Sequence, residues 1–202
     1  MATNIVTYSS LEKKFQSVAG LATLDATDKF FFLNNLNTRA KEAWHRFDWP
    51  DLIEVKEFPL NYVNGQGSKV TDQVAQDILS VWDKNPHFDK TAISVDYKIR
   101  DSRVVINPTF PGTKIFALAK KRFVEYTPES IDVPGFLENY LITSILADFF
   151  RGDGQADLAS REDTRAEEML IRQIDRVERQ QQQNKPVVQV YPVNDQINSI
   201  YQ

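Results

Sequence analysis

The run Leu36-Asn37-Thr38-Arg39-Ala40-Lys41-Glu42-Ala43-Trp44-His45-Arg46-Phe47-Asp48-Trp49-Pro50 decides how this chain is organised. Leu33, Leu36, Ala40, Ala43, Trp44 and Phe47 recur at spacings of three, four and seven, so they share one helical face. Trp49-Pro50 stops the helix, because the residue before a proline is pushed out of helical space. Beyond Pro50 the period changes. Leu52 to Phe58 alternates as a strand does, and helical spacing returns only after Pro128. A β-rich stretch is thus inserted between helices.

Outward from that run, Asp25 or Thr27 caps the helix read from Asp28 to Phe47. A shorter helix precedes it, capped by Ser9 or Ser10 and stopped at Gly20, with Phe15 and Val18 on one face. In the insertion, Asn64-Gly65-Gln66-Gly67-Ser68 reads as a loop and Ile78 to Trp82 as a strand. Thr91 to Arg100 reads as a strand from the alternation of Ile93, Val95, Tyr97 and Ile99. Its hairpin partner is Arg103 to Ile106, joined through Asp101-Ser102. Lys114 to Tyr126 gives one long strand or two short ones.

Helix resumes at Pro134, a favoured first helical residue, with Phe136, Leu137, Tyr140, Leu141, Ile145 and Phe149 as its apolar face. Gly152 and Gly154 break it. A last helix runs from about Gln155 to Gln183, with a narrow stripe of Ala159, Ala166, Met169, Leu170, Ile174 and Val177. Roughly 28 residues span about 42 Å, more than a small domain needs. Part of this helix is therefore expected to project beyond the core or to pack on a neighbouring subunit. The fold class read from these patterns is α+β. It has a helical-bundle core (1–50 and 128–185), an inserted small antiparallel β-sheet (51–127), a long C-terminal helix and an extended C-terminal arm (186–202).

Composition excludes several function classes. The net charge of −4 over 202 residues argues against a general nucleic-acid binder, which needs surplus Lys and Arg. With no cysteine there is neither a disulfide framework nor a thiolate zinc site. No apolar run approaches a membrane span, and Met1-Ala2-Thr3-Asn4 lacks the pattern of a secretory signal. The expectation is a soluble protein made in the cytosol, without membrane association.

Catalytic patterns are missing as well. His45 and His87 stand apart from any metal-ligand spacing. No G-x-S-x-G, H-E-x-x-H, Walker loop or dinucleotide fingerprint occurs. Gly65-Gln66-Gly67 is a loop, and Gly152-Asp153-Gly154 lacks the downstream ligands of a calcium loop. No enzyme activity, cofactor or metal is expected. Lys120-Lys121-Arg122, followed by Phe123, is the one compact basic cluster. It reads either as a DNA contact or as a charged strand edge that discourages sheet-to-sheet pairing. The Gln180 to Gln183 run is a fraying helix end or a spacer. In the terminal segment, Val187, Val188, Val190, Tyr191, Val193, Ile197, Ile200 and Tyr201 are apolar. They either fold back on the domain's own sheet or add a strand to a partner.

In their order these segments resemble the head-to-tail adaptor (neck, or connector) proteins of tailed bacteriophages. The residues that carry the resemblance are Arg39 through Trp49-Pro50, the β-rich region ending in Thr113 to Pro128, the helix Val133 to Phe150 and the turn Arg151 to Gln155. To these is added the final helix, with Ala166-Glu167-Glu168-Met169-Leu170 and Glu178-Arg179-Gln180-Gln181-Gln182. The resemblance covers residues 27 to 185. It implies a structural virion protein of the neck, made in the host cytoplasm and assembled as a ring, usually of twelve copies. Such a ring docks beneath the portal protein and passes genomic DNA through its channel. It also implies that C-terminal segments such as Val187 to Tyr201 reach the portal. A tail-completion or tail-tube attachment protein is the alternative within that class. A nucleic-acid-associated regulator using Lys120, Lys121 and Arg122 is the alternative from another class.

Overall fold

The computed structural model describes residues 5–63, 68–71, 77–130 and 132–183. The chain is α+β: four helices and small antiparallel sheets, with a long C-terminal helix. A two-residue strand β1 (Ile5–Val6) leads into α1 (Tyr8–Ala19) and α2 (Ala26–Arg46). The β lobe follows as β2 (Ile53–Val63), β3 (Ser68–Thr71), β4 (Ile78–Trp82), β5 (Tyr97–Arg100), β6 (Arg103–Ile106) and β7 (Lys114–Lys120). The chain then returns through β8 (Val133–Pro134) to α3 (Glu138–Gly152) and α4 (Ala156–Gln183).

Local chemistry sets most helix ends. Gly20 stops α1 at φ 71°, a left-handed conformation that glycine adopts without a Cβ penalty. The cap of α1 is Thr7, not Ser9 or Ser10: its hydroxyl accepts the Ser10 N–H, and buried Tyr8 already belongs to the first turn. Asp25 caps α2 in a reciprocal box with Asp28. On the α2 face, Leu36, Ala40, Ala43 and Trp44 are buried, while Leu33 and Phe47 are only partly so. Phe32 is fully buried and its neighbour Phe30 is 69% exposed, a choice within Phe30-Phe31-Phe32 that spacing alone left open.

Pro134 does not begin α3. It pairs with Ile5 in the β1–β8 ladder, and one 3-10 turn (Gly135–Leu137) intervenes before Glu138. The α2 face packs with Leu137, Tyr140, Leu141, Ile145 and Phe149, the apolar side read for the helix after Pro134. All lie in or against one buried cluster that also takes in Tyr8, Leu11 and Phe15 of α1 and Ala166 and Leu170 of α4. Trp49 sits at its end, 1% exposed, donating Nε1–H to the Ala43 carbonyl at 2.8 Å and stacking on Phe136.

The β lobe is more than an open sheet. Its strand order is β4-β7-β2-β3-β6-β5. The chain just before β5 returns to β4: Ser94 bridges Trp82, and the Val95 N–H donates to the Val81 carbonyl at 2.8 Å. The two edges therefore meet along part of their length, and the sheet curls around Phe58, Val81, Val104, Ile106, Ile115 and Ala117. This corrects the expected strand Thr91 to Arg100. Only Tyr97–Arg100 is a β5 strand, because the preceding residues cross the seam between the edges. Asp101 and Ser102 both have positive φ (51° and 58°), the mirror-image turn that matches strand twist in a two-residue hairpin. The strand expected from Leu52 to Phe58 runs on to Val63. Pro59 is tolerated where β2 passes from its β7 partner to β3.

Strand β7 ends at Lys120, and no strand follows toward Tyr126. There the Asn37 side chain takes over, accepting the Tyr126 N–H at 2.7 Å and donating to its carbonyl at 3.1 Å. The loop at 64–67 and the arm 186–202 lie outside the described residues.

The helices share a direction that positions the rest. Arg39 meets Asp148 and Asp163, and Arg46 meets Glu167. Thr143 lies against Met169, and Phe136 lines the same cleft as Arg176. So α4 runs antiparallel to α3 and parallel to α2. From the level of Arg46 it continues for 16 residues, about 24 Å. Val177 is its last apolar residue packed on the core. The helix finishes at the end of the helical lobe from which the β lobe hangs.

Candidate partner interface

The basic cluster comes apart in three dimensions. Lys120 is 9% exposed, and its Nζ donates to the Phe47 carbonyl at 2.8 Å and to Asp48 Oδ1 at 3.0 Å. It closes the junction between the lobes and is not available to a phosphate. Lys121 and Arg122 remain exposed. The Lys121 backbone is also spoken for: its N–H donates to the Leu52 carbonyl at 2.7 Å, and its carbonyl accepts the Trp44 indole at 2.8 Å. Phe123 packs edge-on against Trp44 and Tyr126 and offers no stacking platform. The charged-edge reading fails too, since β7 lies between β4 and β2 inside the sheet.

Sequence reasoning missed a polar seam between α2, α3 and α4. Arg39 donates to both oxygens of Asp148, through Nε at 2.8 Å and Nη2 at 2.5 Å, and reaches Asp163 at 3.5 Å. Arg151 bonds the same two carboxylates, and Arg46 forms a fork with Glu167. Arg39, Arg151, Asp163 and Glu167 line a crevice of about 480 Å³ together with Tyr140, Ser144 and Thr164. Hydrogen bonding to Asp148 raises the Arg39 pKa further, so it stays charged. Burial, reinforced by Glu42, pushes the Tyr140 phenol up to about 12 and keeps it neutral. The crevice walls satisfy one another. Neither histidine nor any nucleophile–base pair faces it, so its chemistry is that of a clamp holding α4 on the core. The signal in the sequence was the spacing of Arg39, Asp148 and Asp163 on inward helix faces, legible only once the helices are paired.

A second surface lies along the open part of the β5 edge. A groove of about 590 Å³ is lined by 96–100 and 105–108, with Ile99 half exposed in it. The β4–β5 loop is braced by Asn85, Asp83 and Asp89 side chains, yet it holds Phe88 and Ile93 in solvent. Two buried polar atoms, Tyr126 Oη and Glu162 Oε2, have no hydrogen-bond partner among the described residues.

The docking residues expected at Val187, Val188, Val190, Tyr191, Val193, Ile197, Ile200 and Tyr201 lie outside the described residues. Among the described residues no cluster of acidic or imidazole groups is arranged to hold a metal, and no helix is long and apolar enough to cross a membrane. No family model matches the chain, and no curated protein is found to be similar to it.

Proposed function

We propose that this protein is a structural component of a phage virion, a head-to-tail adaptor that forms a ring between portal and tail with a channel for DNA. One observation carries the reading: α4 continues to Gln183, six residues or about 9 Å past Val177, its last apolar residue packed on the core. A helix of that length, clamped at its start and free at its end, suits a subunit that builds an assembly. The order of elements, a helical lobe interrupted by a β lobe, is the order of the adaptor proteins that the sequence resembles. In this reading the segment Val187 to Gln202 docks on the portal protein, and the tail or a tail-completion protein binds the opposite face.

Deleting residues 187–202 tests it. The truncated protein is expected to keep its melting temperature and to lose attachment to DNA-filled heads. Normal occupancy on heads would remove the docking role. Attachment to isolated tails but not to heads would favour the tail-completion reading instead.

A further inference from the structure

The last helix is acidic as a sequence, but its arginines gather on one side, bordered by the exposed Asp157, Glu168 and Asp175. Between Ala156 and Gln183 it carries five arginines and seven carboxylates. At about 100° per residue, Arg161, Arg165, Arg172, Arg176 and Arg179 all fall within about 60° of arc. All five are exposed. Their arc faces away from Ala159, Ala166 and Leu170, the buried side of the helix. Two of the carboxylates are drawn off by cations of other helices: Asp163 pairs with Arg39 and Arg151, and Glu167 with Arg46. Glu162 and Glu168 each hold one arginine of the ridge, Arg165 at 3.5 Å and Arg172 at 2.9 Å. Among the described residues no ion pair engages Arg161, Arg176 or Arg179.

We infer that this arginine ridge is a binding surface for the phosphate backbone of duplex DNA. The ridge runs about 27 Å along a single helix, the axial length of about eight base pairs at 3.4 Å each. Every cation on it is an arginine. The guanidinium fork matches phosphate oxygens and sheds its hydration more readily than an ammonium does. No large aromatic ring stands on the arc, so the surface reads backbone charge and not base identity. An acidic protein keeps such a contact weak and salt-sensitive, as suits DNA that must slide past. The inference deepens the adaptor reading by naming residues that line its channel, and it rests on that reading only for the source of the DNA.

The test uses the full chain, a fluorescent duplex of about 30 base pairs and a salt series starting near about 50 mM. A ridge variant carries R165Q, R172Q and R176Q. A control of equal charge change carries K13Q, K41Q and K90Q, all exposed positions. The ridge variant is expected to bind at least tenfold more weakly, and its log–log salt slope to fall by about 2.7, at about 0.9 for each phosphate no longer neutralised. The control is expected to stay within about threefold of the parent. The proposal is overturned if the parent binds no duplex at the lowest salt, or if both variants weaken equally. It is also overturned if the ridge variant binds DNA normally but no longer docks on portal rings, which would make the ridge a protein contact. Ridge-dependent DNA binding by a protein that never joins a portal would keep the ridge and remove the adaptor reading.

Discussion

The helical lobe and the β lobe are held together by different means. The helical lobe has one continuous buried cluster, from Val6 to Leu170, to which all four helices contribute, with the Arg39–Asp148 seam beside it. Among the described residues the buried cluster of the β lobe holds six apolar side chains, and the lobe relies on its strand ladder and partial closure. Apolar burial contributes about 25 cal/mol per Å², so most of the driving force for folding sits in the helices. The β lobe is then an appendage positioned by the junction of Lys120, Asp48 and Trp49. The rigid lobe is also the one that carries α4. A protein built this way presents its long helix from a stable base and its β lobe from a softer one.

The largest expected effect separates the lobes directly. Trp49→Ala removes a fully buried ring and the partner of the Ala43 carbonyl, and should cost about 3–5 kcal/mol of global stability. Ile115→Ala, at the centre of the β lobe, should cost about 2–5 kcal/mol locally. Native-state hydrogen exchange should then speed at the Ala117 and Val81 amides while the Leu141 and Ile145 amides hold. Equal acceleration in both lobes would merge them into one cooperative unit.

A smaller effect sharpens the contrast from the helical side. Burial, reinforced by Glu12, pushes the Tyr8 phenol up to about 12, and Tyr140 is raised to the same range. Both folded-state values exceed the ordinary value of about 10, so folding favours the neutral phenols. The stability they contribute is whole below about pH 10 and is lost as pH rises through about 12. The denaturant midpoint should therefore fall across that window in step with tyrosinate absorbance. A flat midpoint would mean that the rings ionise without leaving the core.

What the sequence disclosed was what neighbouring residues decide. Gly20, the Asp25 cap, the stop at Trp49-Pro50, the Asp101-Ser102 turn and the break at Gly152 all act within a few positions. What it hid depends on pairing between distant segments. Closure of the β lobe needs Ser94 to meet Trp82 across a seam that alternation cannot reveal. Lys120 looked solvated until the helix end at Phe47 and Asp48 came to lie over it. In the sequence the arginines of α4 stand interspersed with carboxylates, and the order alone assigns them to no common side. Their common arc emerges only when helical phase and the inward pull of Arg39, Arg46 and Arg151 on the carboxylates are combined. A repeating register made the long helix easy to find, but not which side of it was cationic.

The most direct test of the account is the mass and shape of what the purified protein forms with portal rings, read by native mass spectrometry and electron microscopy. The account predicts a closed ring of this protein, one copy per portal subunit, seated coaxially on the portal with an open channel. A protein that remains monomeric beside intact portal rings, at concentrations where neck proteins assemble, would contradict it.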